Sequence, residues 1–149
     1  MARGKVLSIA VASGNAGFVF LNDRVLVDWG CVQKATSSAV EMAGFAQTLI
    51  TELEPEVVVT ENCQDPGCRK GAFARELVRA VAETASHNYL HDVAVTRPRA
   101  FGTKHAEAED IVIRYPELAG QLPGRPRKFF ETEARSMMIF EAMALAEAA

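Results

Sequence analysis

The first sixty residues constrain the fold most, because they alternate strand-like runs with turn sequences. Three runs of β-branched and apolar residues follow one another, KVLSIAV at 5–11, AGFVFL at 16–21 and RVLVDWGCV at 24–32. The segments between them, SGN and ND, contain residues that reverse a chain readily. The pattern predicts a meander of three antiparallel strands.

A helix is predicted next, over SSAVEMAGFAQTLITELE, because its apolar residues recur at helical spacing. A serine at position 37 or 38 is suited to cap the first turn. The helix is expected to end at Pro55, which cannot continue the hydrogen-bonding pattern. Its apolar face is predicted to contain Val40, Phe45, Leu49 and Leu53.

The rest of the chain alternates strand and helix and then becomes helical. EVVVTEN at 56–62 is a short continuous apolar run, typical of a strand buried on both faces of a parallel sheet. A helix at about 71–86 and a strand that stops at Pro98 follow, and then two helices at about 104–114 and 130–148. This order predicts an α/β fold, a mixed sheet with helices packed on its faces.

Length, charge and composition narrow the class of protein. With 149 residues and no repeat or linker, the chain is expected to form one domain over 1–149. The net charge of −3 argues against coating nucleic acid through overall charge, so a nucleic-acid site would have to be local. No apolar run reaches the roughly 18 residues of a membrane span, and three cysteines are too few for a disulfide framework. We therefore expect a cytoplasmic protein with reduced thiols.

Acidic residues mark a candidate site at one end of the sheet. Open α/β sheets bind ligands beyond the carboxyl ends of their parallel strands, and Glu61 ends the predicted fourth strand beside the end of the first. The predicted last helix has Glu131 and Glu133 in its first turn, with Ser136 on the same face as Glu133. Such carboxylates can hold two divalent metal ions for phosphodiester hydrolysis. The helix dipole alone also favours acids in a first turn.

Three segments resemble the RuvC-type Holliday junction resolvases of the ribonuclease H-like superfamily. VLSIAVASGNAGFVFL resembles the first hairpin, EPEVVVTEN the strand with a terminal glutamate, and EARSMMIFEAMALA the closing helix, which in the family carries two acids three residues apart near its start. The resemblance implies a ribonuclease H-like mixed five-stranded sheet with helices on both faces. It also implies an endonuclease that uses Mg²⁺ or Mn²⁺, acts on branched DNA and works as a homodimer.

Carried over residue by residue, the resemblance gives an incomplete acidic site. The second family acid matches Glu61 and the third matches Glu133, whereas the first falls on Ala10 and the fourth on Ser136. Two carboxylates, Glu61 and Glu133, would hold Mg²⁺ or Mn²⁺ weakly. Either a substitution was introduced at position 10 of a nuclease, or activity was lost or altered naturally.

Basic residues cluster where a groove for a DNA strand would need them. They follow the predicted fourth strand, follow the last strand and crowd the entry to the final helix, and such local patches can contact phosphates in an acidic protein. A solvated surface would also account for them. The residues predicted to bind nucleic acid are Arg69, Lys70, Arg97, Arg99, Lys104, Arg125, Arg127 and Lys128.

A superficial zinc motif is present but is not expected to bind zinc. Cys63 and Cys68 precede the predicted helix at 71–86, and His87 and His91 follow it. A helix of that length spans roughly 24 Å, too far for four ligands of one ion.

Three functions remain open from the sequence. The first is a metal-dependent, structure-selective DNA endonuclease, intact in nature or impaired. The second is a relative that binds nucleic acid without catalysis. The third is a nucleotide-binding or scaffold protein on the same fold, because fold alone does not determine function.

Overall fold

A computed structural model describes all 149 residues as a five-stranded sheet with four α-helices. None of the helices combines the length and apolar character needed to cross a membrane. In chain order the elements are β1 (Lys5–Val11), β2 (Ala16–Asn22), β3 (Val25–Val32), α1 (Ala39–Leu53), β4 (Val57–Glu61), α2 (Ala72–His87), β5 (His91–Val95), α3 (Lys104–Arg114) and α4 (Met137–Ala148).

The strand order is β3-β2-β1-β4-β5. β1 pairs antiparallel with β2 and β2 with β3, whereas β1–β4 and β4–β5 are parallel. The mixed sheet predicted from the sequence is therefore confirmed. β1 is the central strand, and β4 lies between β1 and β5, so it is an interior strand, as its continuous apolar run indicated.

The turn between β2 and β3 lies one residue later than the sequence suggested. Asn22 still belongs to β2, and the reversal is made by Asp23 and Arg24, both with positive φ, 49° and 70°. Two central residues with positive φ are typical of the hairpin turn whose twist matches that of its strands. The Asp23 carboxylate also accepts a hydrogen bond from the Gly4 N–H at 2.9 Å.

One face of the sheet is covered by α1 and α2. Ser38 caps α1, because its hydroxyl accepts a hydrogen bond from the Glu41 N–H at 3.1 Å. The prediction that Val40 belongs to the buried face was wrong, since Val40 is 81% exposed. The face of α1 that packs on the sheet consists of other apolar residues at helical spacing. They are Met42, Ala46, Leu49 and Ile50.

The other face is covered by α4, with α3 packed beside it. α4 is apolar almost all round, as expected for a helix buried between other elements. The Ser8 hydroxyl of β1 donates a hydrogen bond to the Ala142 carbonyl at 2.7 Å. Gly17 of β2 allows close approach, because a Cβ there would lie 2.5 Å from the carbonyl carbon of Met138. Helices therefore lie on both faces, as predicted.

The predicted start of the last helix, about residue 130, was wrong. α4 begins at Met137, so Glu131 and Glu133 precede it instead of forming its first turn. Local hydrogen bonds compete with helix formation here. The Lys128 N–H donates to the Glu131 carboxylate at 3.1 Å, and Arg127 donates to the Glu131 carbonyl at 2.8 Å.

Candidate functional site

The carboxyl ends of β1 and β4 meet beneath α4. The parallel register pairs Ser8 with Val59, so Ala10 comes level with Glu61 two residues further on. Ala10 is 1% exposed, and it belongs to the same apolar core as Met138 of α4. Glu61 is 5% exposed, so a carboxylate is buried at the strand end where the sequence predicted a site.

A lysine and a second buried glutamate stand next to Glu61. Lys70, in the loop after β4, lies with its Nζ 3.0 Å from Oε1 of Glu141 and 3.9 Å from Oε1 of Glu61. Glu141 is on α4, in the turn after Met138. A buried carboxylate is tolerated only when it is paired or hydrogen-bonded, and Lys70 provides that partner for both acids.

Arg97, which follows β5, joins the same group of charges. Its NH2 lies 2.7 Å from Oε1 of Glu107 on α3, and its NH1 lies 3.8 Å from Oε1 of Glu141. Burial lowers the pKa of Arg97, but the carboxylates of Glu141 and Glu107 more than offset this, so its pKa is raised. The guanidinium is thus held charged. We call Glu61, Lys70, Arg97, Glu107 and Glu141 the buried ion-pair network.

Arg75 at the start of α2 fixes the loop that carries Lys70. Its guanidinium donates to three carbonyls of this loop, those of Cys63 at 2.7 Å, Lys70 at 2.8 Å and Cys68 at 3.3 Å. The Cys68 thiol in turn donates to Oε2 of Glu61 at 3.1 Å. Lys70 is therefore positioned by the hydrogen bonds of its loop to Arg75 as well as by its own ion pairs.

The second thiol of this loop is in an unfavourable environment for a thiolate. Burial, the neighbouring Cys68 and the Glu61 carboxylate together raise the pKa of Cys63 to about 11. The thiol form therefore dominates at neutral pH, and it is poorly suited to act as a nucleophile or metal ligand.

The residues around Glu61 do not fit a divalent metal. The structure contains no group of three or more histidine, cysteine, aspartate or glutamate side chains arranged to hold a metal ion. Ala10 has no ligand atom, and the Glu61 and Glu141 carboxylates are neutralised by Lys70 and Arg97. Magnesium prefers octahedral oxygen ligands, and here ammonium and guanidinium groups lie against those oxygens.

Three residues predicted for the acidic site lie elsewhere. Glu133 pairs with Lys104 at 3.4 Å, and Glu131 binds Arg125 through both carboxylate oxygens at 2.7 and 2.9 Å. The hydrogen bond from Arg125 lowers the pKa of Glu131 to about 2. Ser136 is the residue before α4, so the predicted helical face shared by Glu133 and Ser136 does not exist. The structure does not bring any of these three to Glu61.

The position of α4 brings an acid to Glu61 that the sequence analysis did not single out. Because the helix begins at Met137, two positions three residues apart near its start are Met138 and Glu141. Glu141 contacts the group around Glu61, whereas Met138 packs in the core.

The predicted nucleic-acid-binding residues divide into two groups. Three lie in the segment before α4, where Arg125 and Arg127 line a cavity of about 540 Å³ with Glu131 and Glu133, and Lys128 follows them. The other five basic residues come from three separate stretches of sequence and line one cavity of about 490 Å³. Glu61 and Glu141 also line this cavity. We call this second space the cationic cavity, after its five basic residues, Arg69, Lys70, Arg97, Arg99 and Lys104.

The cysteines and histidines of the superficial zinc motif lie at opposite ends of α2. Cys63 and Cys68 belong to the loop before this helix, His87 is its last residue, and His91 begins β5. The sixteen residues of α2 separate the pairs, as the sequence indicated.

The sequence alone missed Glu141, Glu107 and Arg75. Glu141 carried a usable signal, because it is the lone charge in the apolar run MMIFEAMALA, and charges in such helices are kept only when they are paired. Glu107 and Arg75 carried no such signal, since acids near a helix start and arginines on an amphipathic helix are usually solvated.

Comparison with solved structures identifies the architecture. Thermus thermophilus RuvC in complex with Holliday junction substrate aligns with a TM-score of 0.61 and 15% identity, covering 97% of this chain and 90% of that one. Fowlpox virus resolvase, solved with substrate Holliday junction DNA, aligns with a TM-score of 0.61 and 12% identity over 94% of both chains. The yeast mitochondrial Holliday junction resolvase gives 0.59 and 10%, over 97% of this chain and 78% of that one.

At the level of sequence there is no such match. No family model matches the chain, and none of the curated proteins does. Identities this low establish the fold alone. The chain has the ribonuclease H-like fold of the RuvC-type Holliday junction resolvases.

Proposed function

We propose that this protein is a RuvC-like, structure-selective DNA-binding protein whose metal-dependent endonuclease centre is impaired. In this proposal residues 1–149 act as one domain that binds branched DNA without a bridging metal ion. The observation that carries the proposal is the buried ion-pair network around Glu61.

The network supports loss of catalysis because it occupies the place of the expected metal ions. Lys70 and Arg97 neutralise the Glu61 and Glu141 carboxylates directly, which a metal ion would otherwise have to do. A divalent ion would have to displace two buried cations, and it would find no oxygen at Ala10 or Met138.

The fold and the distribution of charge support DNA as the partner. Two of the aligned resolvases were solved with Holliday junction DNA. Of the eight predicted basic contacts, Arg69, Arg99, Arg127 and Lys128 form no ion pair with a carboxylate. Cations that are free of protein partners can neutralise phosphates without first breaking an ion pair.

The proposal is tested with a four-way DNA junction and a linear duplex of the same composition, with EDTA present. Fluorescence anisotropy at about 50 mM salt should show junction binding that is tighter than duplex binding and that weakens as salt is raised. Incubation of the junction with Mg²⁺ or Mn²⁺ should leave it uncut. The exposed Arg79 on α2 lines neither cavity, so Arg79→Ala is the matched control for the loss of an arginine.

Two results would overturn the proposal. Absence of binding to any DNA at low salt would remove DNA as the partner. Efficient cleavage by the unchanged protein would show that the catalytic centre works.

A second candidate is a weak metal-dependent endonuclease that uses the two remaining carboxylates. It is favoured by the presence of Glu61 and Glu141 on the wall of one cavity. Under this alternative slow nicking would depend on Mn²⁺ and would be abolished by Glu61→Gln, whereas a contaminating nuclease would be unaffected by that change.

The resemblance also implies a homodimer, and the apolar pattern and cysteine content of the sequence predict a cytoplasmic location; both stay predictions. The homodimer is tested by light scattering coupled to gel filtration. β3 is an edge strand of the sheet, and it presents the exposed side chains of Val25 and Val27. If a dimer forms, Val27→Lys tests whether that edge contributes to it.

A further inference from the structure

Two cysteines occupy one short loop next to Glu61. Cys63 and Cys68 both belong to the segment between β4 and α2. The Cys68 N–H donates to the Asp65 carbonyl at 3.0 Å, which closes a turn between the two cysteines. The Arg75 guanidinium binds both of their carbonyl oxygens, that of Cys63 at 2.7 Å and that of Cys68 at 3.3 Å. The two cysteine backbones are therefore held close together by one turn and one guanidinium group.

The thiol groups of these cysteines are also in contact. The pKa of Cys63 is raised to about 11 first by its burial and then by the charge and the hydrogen bond of the Cys68 thiol. Both cysteines are free, and both are partly accessible to solvent. Neighbouring thiols that small molecules can reach are the arrangement in which a disulfide forms and is reduced again by thiol–disulfide exchange.

The Cys68 thiol has a second partner, the Glu61 carboxylate. It donates to Oε2 of Glu61 at 3.1 Å, and this is the one hydrogen bond that the Glu61 side chain accepts from the protein. Lys70 approaches the other oxygen, Oε1, to 3.9 Å. A buried carboxylate needs such a donor, and a cysteine in a disulfide has no S–H to donate. The oxidation state of the loop is therefore coupled to the buried ion-pair network.

We propose that Cys63 and Cys68 form a reversible disulfide, which makes the loop between β4 and α2 an oxidant-sensitive switch on the Glu61 carboxylate. The oxidant is a small disulfide of the glutathione class. Two protein S–H bonds and the S–S bond of the oxidant break, while one protein S–S bond and two S–H bonds of the reduced oxidant form, so two electrons and two protons leave the protein. Oxidation removes the hydrogen bond to Glu61, and reduction restores it.

The exchange passes through a mixed disulfide between the protein and the oxidant. Cys68 is expected to react first, because Cys63 is the poorer nucleophile of the two. Cys63 then displaces the small thiol from Cys68. This second step takes place within one loop, where the effective concentration of Cys63 is high enough to compensate for its low reactivity towards reagents in solution.

The disulfide is measured on the whole protein, equilibrated without oxygen in mixtures of reduced and oxidised glutathione. After an acid quench, free thiols are blocked with N-ethylmaleimide, and the protein is digested with trypsin and analysed by mass spectrometry. Cys63 and Cys68 share the tryptic peptide 35–69, whereas Cys31 lies in the peptide 25–34. The main oxidised form of peptide 35–69 should be unblocked and lighter by two hydrogen atoms than the reduced peptide. The exposed Cys31 should carry glutathione instead.

Serine variants separate the roles of the cysteines. In Cys63→Ser the mixed disulfide of Cys68 with glutathione should accumulate, because the thiol that displaces glutathione is missing. Cys31→Ser is the matched control, since Cys31 lies on β3, and it should leave the disulfide of peptide 35–69 unchanged.

Glu61→Gln tests the coupling to the buried ion-pair network. A carboxamide accepts a weaker hydrogen bond from the Cys68 thiol than a carboxylate does, so the reduced form is stabilised less. The equilibrium constant for disulfide formation should therefore rise by about 5-fold. Glu107→Gln is the control, because Glu107 is a buried acid of the same network that accepts its hydrogen bond from Arg97, and the constant should stay the same.

Two results would overturn the proposal. If peptide 35–69 stays reduced, or carries only glutathione, under conditions in which Cys31 is glutathionylated, the two thiols do not form a disulfide. If the disulfide forms with the same equilibrium constant in Glu61→Gln as in the unchanged protein, the loop is not a switch on Glu61. Neither result bears on the proposed DNA binding, because that proposal uses neither thiol.

Discussion

Ala10 and Met138 show that the fold can form with apolar side chains, and without metal-binding groups, at two positions near the buried ion-pair network. Ala10 lies level with Glu61 at the end of β1, Met138 lies one turn before Glu141 on α4, and both are part of one apolar core. Their methyl and thioether groups pack where carboxylates would need ligands or hydrogen bonds. The network around Glu61 is therefore continuous with the hydrophobic core, and an aspartate at position 10 would add another buried carboxylate beside Glu61, Glu107 and Glu141 without adding a cation.

Gly17 is expected to be the glycine at which an added methyl group lowers the stability of the protein most. Gly17→Ala places a Cβ 2.5 Å from the Met138 backbone, so α4 must move away from β2. We expect a loss of about 1–3 kcal/mol in the free energy of unfolding, measured by urea denaturation, as in other overpacked cores. Gly14→Ala is the control, because nothing lies within 4 Å of its Cβ, and equal losses in both variants would contradict the close approach.

Cys63 is expected to react slowly with alkylating reagents. Burial and its neighbours raise its pKa to about 11, and the thiolate is the reactive form. At pH 8, mass spectrometry after brief iodoacetamide treatment should find Cys31, which is exposed, modified well before Cys63. In denaturant the two should react alike, and equal rates in the folded protein would mean that Cys63 is not in this environment.

At the scale of elements, the strands and helices that depend on hydrophobic periodicity could be predicted from the sequence. The start of α4 could not, because side-chain hydrogen bonds compete with helix formation there. The strands and the other three helices follow their apolar patterns closely. The stretch before Met137 has enough helix-forming residues to suggest a helix, but Glu131 is held in a turn by Arg125, Arg127 and Lys128. Because of that misplaced boundary, Glu131 and Glu133 were expected in a first helical turn with Ser136 on the face of Glu133, and Glu141 was overlooked.

The loop between β4 and α2 should contribute stability through Lys70. Lys70→Met keeps the aliphatic stem but leaves the buried Glu61 and Glu141 carboxylates without their ammonium partner. We expect a loss of about 3 kcal/mol in the free energy of unfolding at neutral pH, the usual cost of removing one partner from a buried pair.

Lys104→Met is the matched comparison for that change. Lys104 is 52% exposed and pairs with Glu133 outside the network, so its removal should cost less than about 1 kcal/mol. Urea denaturation of both variants measures the difference. If Lys70→Met cost no more than Lys104→Met, the buried network would not be the stabilising feature described above.

For the whole molecule, the fold could be predicted from the sequence much further than the site. Strand order follows from a meander, a crossover helix and a buried strand, and these leave few allowed topologies. The site depends instead on pairings between distant segments, such as Lys70 with Glu141 and Arg97 with Glu107, which no local pattern encodes. The five basic residues of the cationic cavity were recognisable as a group only because the resemblance placed their segments at one end of the sheet.

Salt dependence of DNA binding is expected to report on the free cations and not on the net charge of −3. Each phosphate neutralised by the protein releases counterions and steepens the fall of log K with log salt by about 0.9. Arg127 and Lys128 have no carboxylate partner, so Arg127→Ala and Lys128→Ala should each make that slope shallower by about one. Arg114 is held by Asp110 and Glu147, so Arg114→Ala should leave the slope unchanged. Anisotropy titrations of the junction at four or more salt concentrations give the slopes. If Arg127→Ala and Lys128→Ala kept the slope of the unchanged protein, as Arg114→Ala should, the segment before α4 would lie outside the DNA interface.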